Sequence, residues 1–316
     1  MQLRRFAAST LAISTVLLGA ACAGDDLAGD DADSGSGGGD KGAVKISGQD
    51  FGEVQIVASM YEQLLDAEGY DASVQLVGTR DVYMGAGQFP ESIQLVPEYV
   101  GGIVDFLNTT EIGPVAEPLT TPDADESIDA ATDLLESKGI TLLDPSAAVD
   151  TNAFFVTQEF SEAEGVTKLS DLEGMSVVVA AAEDCADRTD CGKGLTEDYG
   201  IDVTEFLPLG FASADVFKSV KDGESQLGLT STTDGTLESQ GMVLLEDDKQ
   251  IQPAQNLVPA VSTEWLADNG DVEGILNDLM AALTTEKLTE LNGQVSVDRA
   301  KPEDVAQEFL ESEGLL

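Results

Sequence analysis

Histidine is absent from this chain of 316 residues. That removes the commonest general base, the usual zinc ligand and the partner that activates a serine or cysteine nucleophile. Basic residues are scarce as well: 15 Lys plus Arg stand against 60 Asp plus Glu, a formal net charge of -45. So acidic a surface repels phosphate backbones and anionic lipid, which excludes nucleic acid as a partner. Self-repulsion of this kind is relieved by screening, and a salty habitat is expected from it. Cysteine occurs at three positions only, Cys22, Cys185 and Cys191.

What is present begins with a leader. Arg4 and Arg5 precede an apolar run from Phe6 to Ala21, too short to span a bilayer comfortably, and small residues lead into Cys22. This is the pattern of a bacterial lipoprotein signal, although Gly19 rather than Leu18 stands three before the cysteine: residues 1–21 are expected to be removed and the Cys22 thiol acylated, leaving an extracytoplasmic protein anchored by lipid to the cell membrane, the alternative being an ordinary secretory signal with an incidental cysteine. Residues 22–42 follow as a tether, nearly all Asp, Gly, Ala and Ser after Cys22, a composition unable to bury apolar surface. With Cys22 lipidated, Cys185 and Cys191 remain as an even pair in an oxidising compartment and are expected to form a disulfide.

The remainder reads as α/β. Val44 to Ser47 alternates as a strand, and Val54, Val57, Ala58, Tyr61, Leu64 and Leu65 recur at helical spacing up to Gly69. Strands are expected at Ser73 to Val77 and at Ile93 to Val96, the latter running into a Pro97 to Gly102 loop. A helix capped by Thr121-Pro122 is expected to close at Gly139. A second set comprises strands at Asn152 to Val156, Ser176 to Ala181, Leu227 to Thr230 and Met242 to Leu245, with a helix at Ser213 to Val220. Asn256 to Val258 is an extended piece crossing back to the first set, and helices are expected at Val272 to Leu283, Thr285 to Leu291 and Pro302 to Leu310. The expectation is two lobes with mostly parallel sheets: residues 43–150 and 257–316 form lobe 1, residues 151–256 form lobe 2, and two hinge crossings join them. A ligand then sits in the interlobe cleft.

Several segments resemble one family, the extracytoplasmic substrate-binding proteins of ABC importers for glycine betaine, choline and related osmoprotectants. They are Gly48-Gln49-Asp50-Phe51-Gly52-Glu53, Gly78-Thr79-Arg80-Asp81-Val82-Tyr83, Pro97-Glu98-Tyr99-Val100-Gly101-Gly102, Thr167 to Leu172, Thr232-Thr233-Asp234-Gly235, Leu244 to Lys249 and Asn256-Leu257-Val258-Pro259. The resemblance implies a two-lobed fold like that of type II periplasmic binding proteins. It also implies a small zwitterionic solute as ligand, an ABC permease with its ATPase as membrane partner, a monomer, and no catalytic residue, metal or cofactor. A quaternary ammonium cannot donate hydrogen bonds, so aromatic faces and carboxylates hold it, while an anionic end wants Arg or polar donors. The likeness places Gln49, Tyr99, Asp150, Asn152, Arg188, Thr232 and Thr233 around the cleft, with Tyr99 facing the cation and Arg188 the anion. Tyr83 and Phe211 are candidate cage members. For Arg188 the alternative is neutralisation of Asp184, Asp187 and Asp190, and for Tyr99, Tyr83 and Phe211 it is packing in the core. Asn152 and Ser231 stand where the family commonly has tyrosines, which points toward a larger or more polar betaine or an amino-acid-like zwitterion. A transferase using a cysteine on the same fold is the alternative from another class.

Overall fold

A computed structural model describes residues 41–113 and 116–316. The expected signal, the Cys22 lipidation site and the tether up to residue 40 lie outside the described residues. The first run of elements is β1 (Ala43–Ile46), α1 (Gly52–Ala67), β2 (Asp71–Val74), the short α2 (Arg80–Tyr83), β3 (Leu95–Tyr99), α3 (Val100–Ile112), α4 (Ala124–Lys138) and β4 (Ile140–Leu142). The second is β5 (Asn152–Thr157), α5 (Gln158–Glu164), β6 (Ser176–Ala181), β7 (Asp202–Pro208), α6 (Ala214–Lys221), β8 (Leu227–Ser231), the short α7 (Leu237–Gln240) and β9 (Met242–Leu245). The chain then returns through β10 (Leu257–Ser262) and ends in α8 (Thr263–Asp268), α9 (Asp271–Ala282), α10 (Thr285–Ser296) and α11 (Pro302–Glu313).

Two sheets result, one per lobe, ordered β2-β1-β3-β10-β4 and β7-β6-β8-β5-β9. In the first, β1 runs parallel to β2 and β3 while β10 is antiparallel to β3 and β4. In the second, β6 runs parallel to β7 and β8 while β5 is antiparallel to β8 and β9. Both sheets are therefore mixed rather than mostly parallel. The reversed strand in each is the one that arrives from the other lobe: β5 follows the first crossing and β10 the second. Neither has a crossover helix of its own lobe to turn it parallel.

The two crossings are zipped together. Val149 and Asn256 form an antiparallel bridge, Asp150 N donates to Gln255 O at 3.0 Å, and Leu257 N donates to Ala148 O at 3.0 Å. In lobe 1 the apolar stripe of α1, Val54, Ile56, Val57, Met60 and Leu64 among it, is buried against α9 to α11 through Leu276, Leu279, Leu288 and Leu310. The smaller core of lobe 2 joins Phe154, Val179, Leu195 and Leu229 to Cys185 and Cys191. Those two cysteines are bonded to each other, with Cα atoms 5.2 Å apart.

One local reading is corrected. Pro97, Glu98 and Tyr99 belong to β3, and Gly101-Gly102 opens α3 instead of forming a loop. The amides of Val100 and Gly101 donate to Asn256 O and Ala254 O at 3.0 and 2.8 Å, and Gly102 N donates to Gln255 Oε1 at 3.0 Å. The second crossing thus caps this helix. A Cβ on Gly101 would stand 2.7 Å from Ala254 O, and one on Gly102 would stand 2.5 Å from the Arg80 guanidinium. The close approach that requires these glycines comes from the protein itself.

Among the described residues no helix is long and apolar enough to cross a membrane.

Candidate binding cleft between the lobes

The lobe 1 side is built on the turn from β1 into α1. Gln49 is half-buried and forms an isolated parallel bridge with Val77. Phe51, in extended backbone just before α1, is 38% exposed. Its ring stacks on Tyr99 at the end of β3, with centroids 6.4 Å apart and planes inclined by 19°. Tyr99 itself is only 6% exposed, so Phe51 presents the open aromatic face and Tyr99 backs it. The Tyr99 hydroxyl donates to Glu53 Oε1 at 2.6 Å, and burial, with Glu53 and Asp150 nearby, pushes its pKa well above the usual value.

From Glu53 the network runs across the hinge. Asn292 Nδ2, on α10, donates to Glu53 Oε2 at 2.6 Å and also to Thr233 O at 3.0 Å. The Thr233 hydroxyl donates to Asp150 Oδ1 at 3.0 Å. Thr232 Oγ1 donates to Val149 O at 2.5 Å and accepts from Thr151 N at 3.1 Å, fastening the loop after β8 to the first crossing. Desolvation raises the Glu53 pKa to about 7, with the Asp150 charge adding to it and the bonds from Tyr99, Asn292 and Thr233 opposing. Burial raises Asp150 as well. Next to Thr233, Gly235 sits so close to α10 that a Cβ there would be 2.3 Å from Gly293 N. Lobe 2 therefore touches lobe 1 backbone to backbone beside the hinge.

On the lobe 2 side, Asn152 Nδ2 donates to Asp190 Oδ2 at 3.0 Å. Arg188 grips the same carboxylate as a fork, its Nε 2.9 Å from Oδ1 and its second arm on Oδ2. It also lies 3.7 Å from Asp184, so two of the three carboxylates named for it from the sequence are its partners. Gln252 Nε2, from the second crossing, donates to Asp190 O at 2.7 Å, and the disulfide closes the loop around Arg188. Burial raises the pKa of Asp105 on α3, with Thr120 and Arg80 opposing the rise and Asp190 adding to it.

The structure thus joins Tyr99, Asp150, Thr232 and Thr233 in one network and brings Asn152 and Arg188 together on Asp190. Gln49 lies just ahead of the aromatic pair. Tyr83 lies elsewhere: it is 1% exposed, packed among Phe89, Ile93 and Ile103, and its hydroxyl donates to Glu98. Phe211 is 48% exposed on the loop after β7. Four residues absent from the sequence-based set matter here: Phe51, Glu53, Asp190 and Arg80. Phe51 and Glu53 sit inside a segment that carries the resemblance. A lone aromatic before a helix and an acidic residue in its first turn, however, give no sign of stacking or burial. Arg80 donates to Glu98 Oε1 from Nε at 2.8 Å and to Oε2 at 2.9 Å.

Two α/β lobes joined by a zipped pair of antiparallel crossings make up the architecture. Residues 42–312 match the family model for the substrate binding domain of ABC-type glycine betaine transport systems, and the chain belongs to that family. The glycine-betaine-binding protein of Pseudomonas aeruginosa is 27% identical over 290 residues, covering 86% of this chain and 88% of the relative. The carnitine transport binding protein OpuCC of Listeria monocytogenes is 22% identical over 281 residues, 88% of this chain and 89% of its own. A crystal structure titled as a glycine betaine/carnitine/choline ABC transporter superposes with a TM-score of 0.74 at 21% identity, covering 86% of this chain and 98% of the other. Lactococcal OpuAC, closed on glycine betaine, shares the fold with a TM-score of 0.52 at 11% identity, covering 86% and 96%.

Proposed function

We propose that this chain is the lipid-anchored, extracytoplasmic receptor of an ABC importer, working as a monomer. It captures a quaternary-ammonium zwitterion between its lobes and delivers it to a membrane permease driven by an ATPase. The observation that carries the reading is the open Phe51 face stacked on Tyr99, with Arg188 held in a closed loop on the opposite lobe. The trimethylammonium end rests on Phe51, each cation–π contact contributing roughly 0.5–2 kcal/mol, and the carboxylate end turns toward Arg188 and Asn152. Family membership and the glycine betaine and carnitine named in the relatives support the solute class. The Arg4-Arg5 leader and Cys22 support the anchor.

A larger or more polar betaine is favoured over plain glycine betaine by one specific feature. Asn152 and Ser231, which stand where tyrosines are common, face each other in register across β5 and β8. The joined cysteines speak against the transferase alternative, which needs a free thiol. A thermal-shift screen tests the proposal with glycine betaine, choline, carnitine, proline betaine, ectoine and amino acids at low and high salt. Quaternary-ammonium zwitterions should raise the melting point by mass action. A melting point unmoved by every betaine, or raised only by ordinary amino acids, overturns the ligand class.

A further inference from the structure

Helix α10 belongs to lobe 1 by its core, where Leu288 and Leu291 are buried, but it turns a second face to the hinge. Thr285, Thr289, Asn292 and Gly293 recur at i, i+4, i+7 and i+8 and so share one side of the helix. That side meets the first crossing and the loop after β8. Thr285 Oγ1 accepts from Val149 N at 3.0 Å, and Thr284 just before it bridges Ala147. One turn on, the Thr289 hydroxyl lies 3.4 Å from Thr232 O. Asn292 Nδ2 then spends its two protons on different lobes, one on Glu53 Oε2 at 2.6 Å and one on Thr233 O at 3.0 Å. At Gly235 the two backbones meet directly, since a Cβ there would stand 2.3 Å from Gly293 N and 2.5 Å from Thr289 O. Asn292 is kept at a cost to folding: its Oδ1 is buried with no donor among the described residues. The amide orientation is nonetheless fixed, because Thr233 O can only accept.

We propose that this face of α10 is the seat on which lobe 2 turns, kept in the open and closed forms alike, and that Asn292 is its positioning residue. One amide proton holds the loop after β8; the other holds Glu53, which accepts from the Tyr99 hydroxyl. The ring that backs Phe51 is thereby set in register with lobe 2, and the cleft closes on an aromatic face already aligned. The role in solute binding rests on the ligand class given above, whereas the seat itself does not. Displacement in a rotation grows with distance from the axis, so contacts beside the zipped crossings move least. Glycine against glycine, flanked by short polar side chains, also leaves no interlocked side chains to unpack as the lobes turn.

The test uses the full chain and glycine betaine or carnitine, whichever gives the larger thermal shift. In wild-type protein labelled at glycine, a nuclear Overhauser contact should join the Gly235 α-protons to the Gly293 amide proton both without and with the betaine. Its absence from either form overturns the seat. Asn292→Leu keeps the branched shape and removes both donors, and it should bind the betaine about tenfold more weakly by calorimetry. A purely structural role would lower the urea midpoint and leave the folded protein's affinity at the wild-type value, and that result overturns the positioning role. Gly235→Ala drives a Cβ into the seat and should also weaken binding about tenfold, whereas Gly274→Ala on α9, where a Cβ meets nothing within 4 Å, should bind as wild type. Equal affinities for these two alanine variants overturn the proposal. If Asn292→Leu and Gly235→Ala fail to fold, the Overhauser contact in wild type upholds or overturns it alone. Failure of any betaine to bind overturns the ligand class, and the contact in the free protein then decides the seat separately.

Discussion

Each lobe carries an arginine fork on a carboxylate, and the two forks are built for different ends. In lobe 1 the Arg80 and Glu98 side chains are 20% and 1% exposed, and Tyr83 donates to the same carboxylate from the core. In lobe 2 the Arg188 and Asp190 side chains are 33% and 22% exposed, and Asp190 also accepts from Asn152 at the start of β5 and, through its backbone carbonyl, from Gln252. A buried carboxylate depends on its partner for folding. A half-exposed pair beside a hinge contributes little to stability, and its donors remain within reach of an incoming anion.

The sharpest way to break this contrast is Arg80→Met. It strands the Glu98 charge in the interior and should cost about 3–5 kcal/mol of stability, read as a fall in urea midpoint with an unchanged slope. Glu53→Gln should act in the opposite sense. The Glu53 pKa is raised from 4.5 to about 7 by folding, so the unfolded chain gains by ionising first and wild-type stability from this group is lost as pH rises from 4.5 to 7. The variant should match wild type below pH 4.5, gain on it through that window, and exceed it by about 3 kcal/mol above pH 7. Urea unfolding at pH 5 and pH 8 checks the sign.

Phe51→Ala should leave folding within about 0.5 kcal/mol and weaken a quaternary-ammonium ligand by roughly 0.5–2 kcal/mol, read by calorimetry. The smallest stability effect belongs to Arg188→Ala, below about 1 kcal/mol. Its signature is selective: betaines with a carboxylate should bind more weakly while choline, which lacks one, is unaffected. A loss of stability as large as that of Arg80→Met would erase the distinction between the two forks.

Much of the scaffold is legible in the sequence because burial is periodic. β6 and β9 are found at the residues expected, α4 closes at Gly139 and α6 is capped by Ser213, but α4 is capped by the Asp123 side chain, which accepts from Glu126 N, and not by the expected Thr121-Pro122. β7 escapes this reading. It is an edge strand whose Asp202, Thr204 and Glu205 face outward, so its apolar residues do not alternate cleanly. The reversal of β5 and β10 is also invisible locally, since a strand's direction depends on where its neighbours come from. In the cleft, Tyr99 and Arg188 were legible as residue types suited to a zwitterion. That Phe51 covers Tyr99, and that Asp190 organises Arg188, Asn152 and Gln252, depends on contacts between residues as far apart as 62 positions.

The central claim is that a zwitterion lies across the cleft with its cation on the lobe 1 rings and its anion toward the lobe 2 arginine. A crystal structure of the protein with the betaine that gives the largest thermal shift tests it most directly. The account requires the trimethylammonium group in van der Waals contact with the Phe51 ring and the carboxylate on the Arg188 and Asn152 side. A betaine held away from both, or one bound in the reverse orientation, would contradict it.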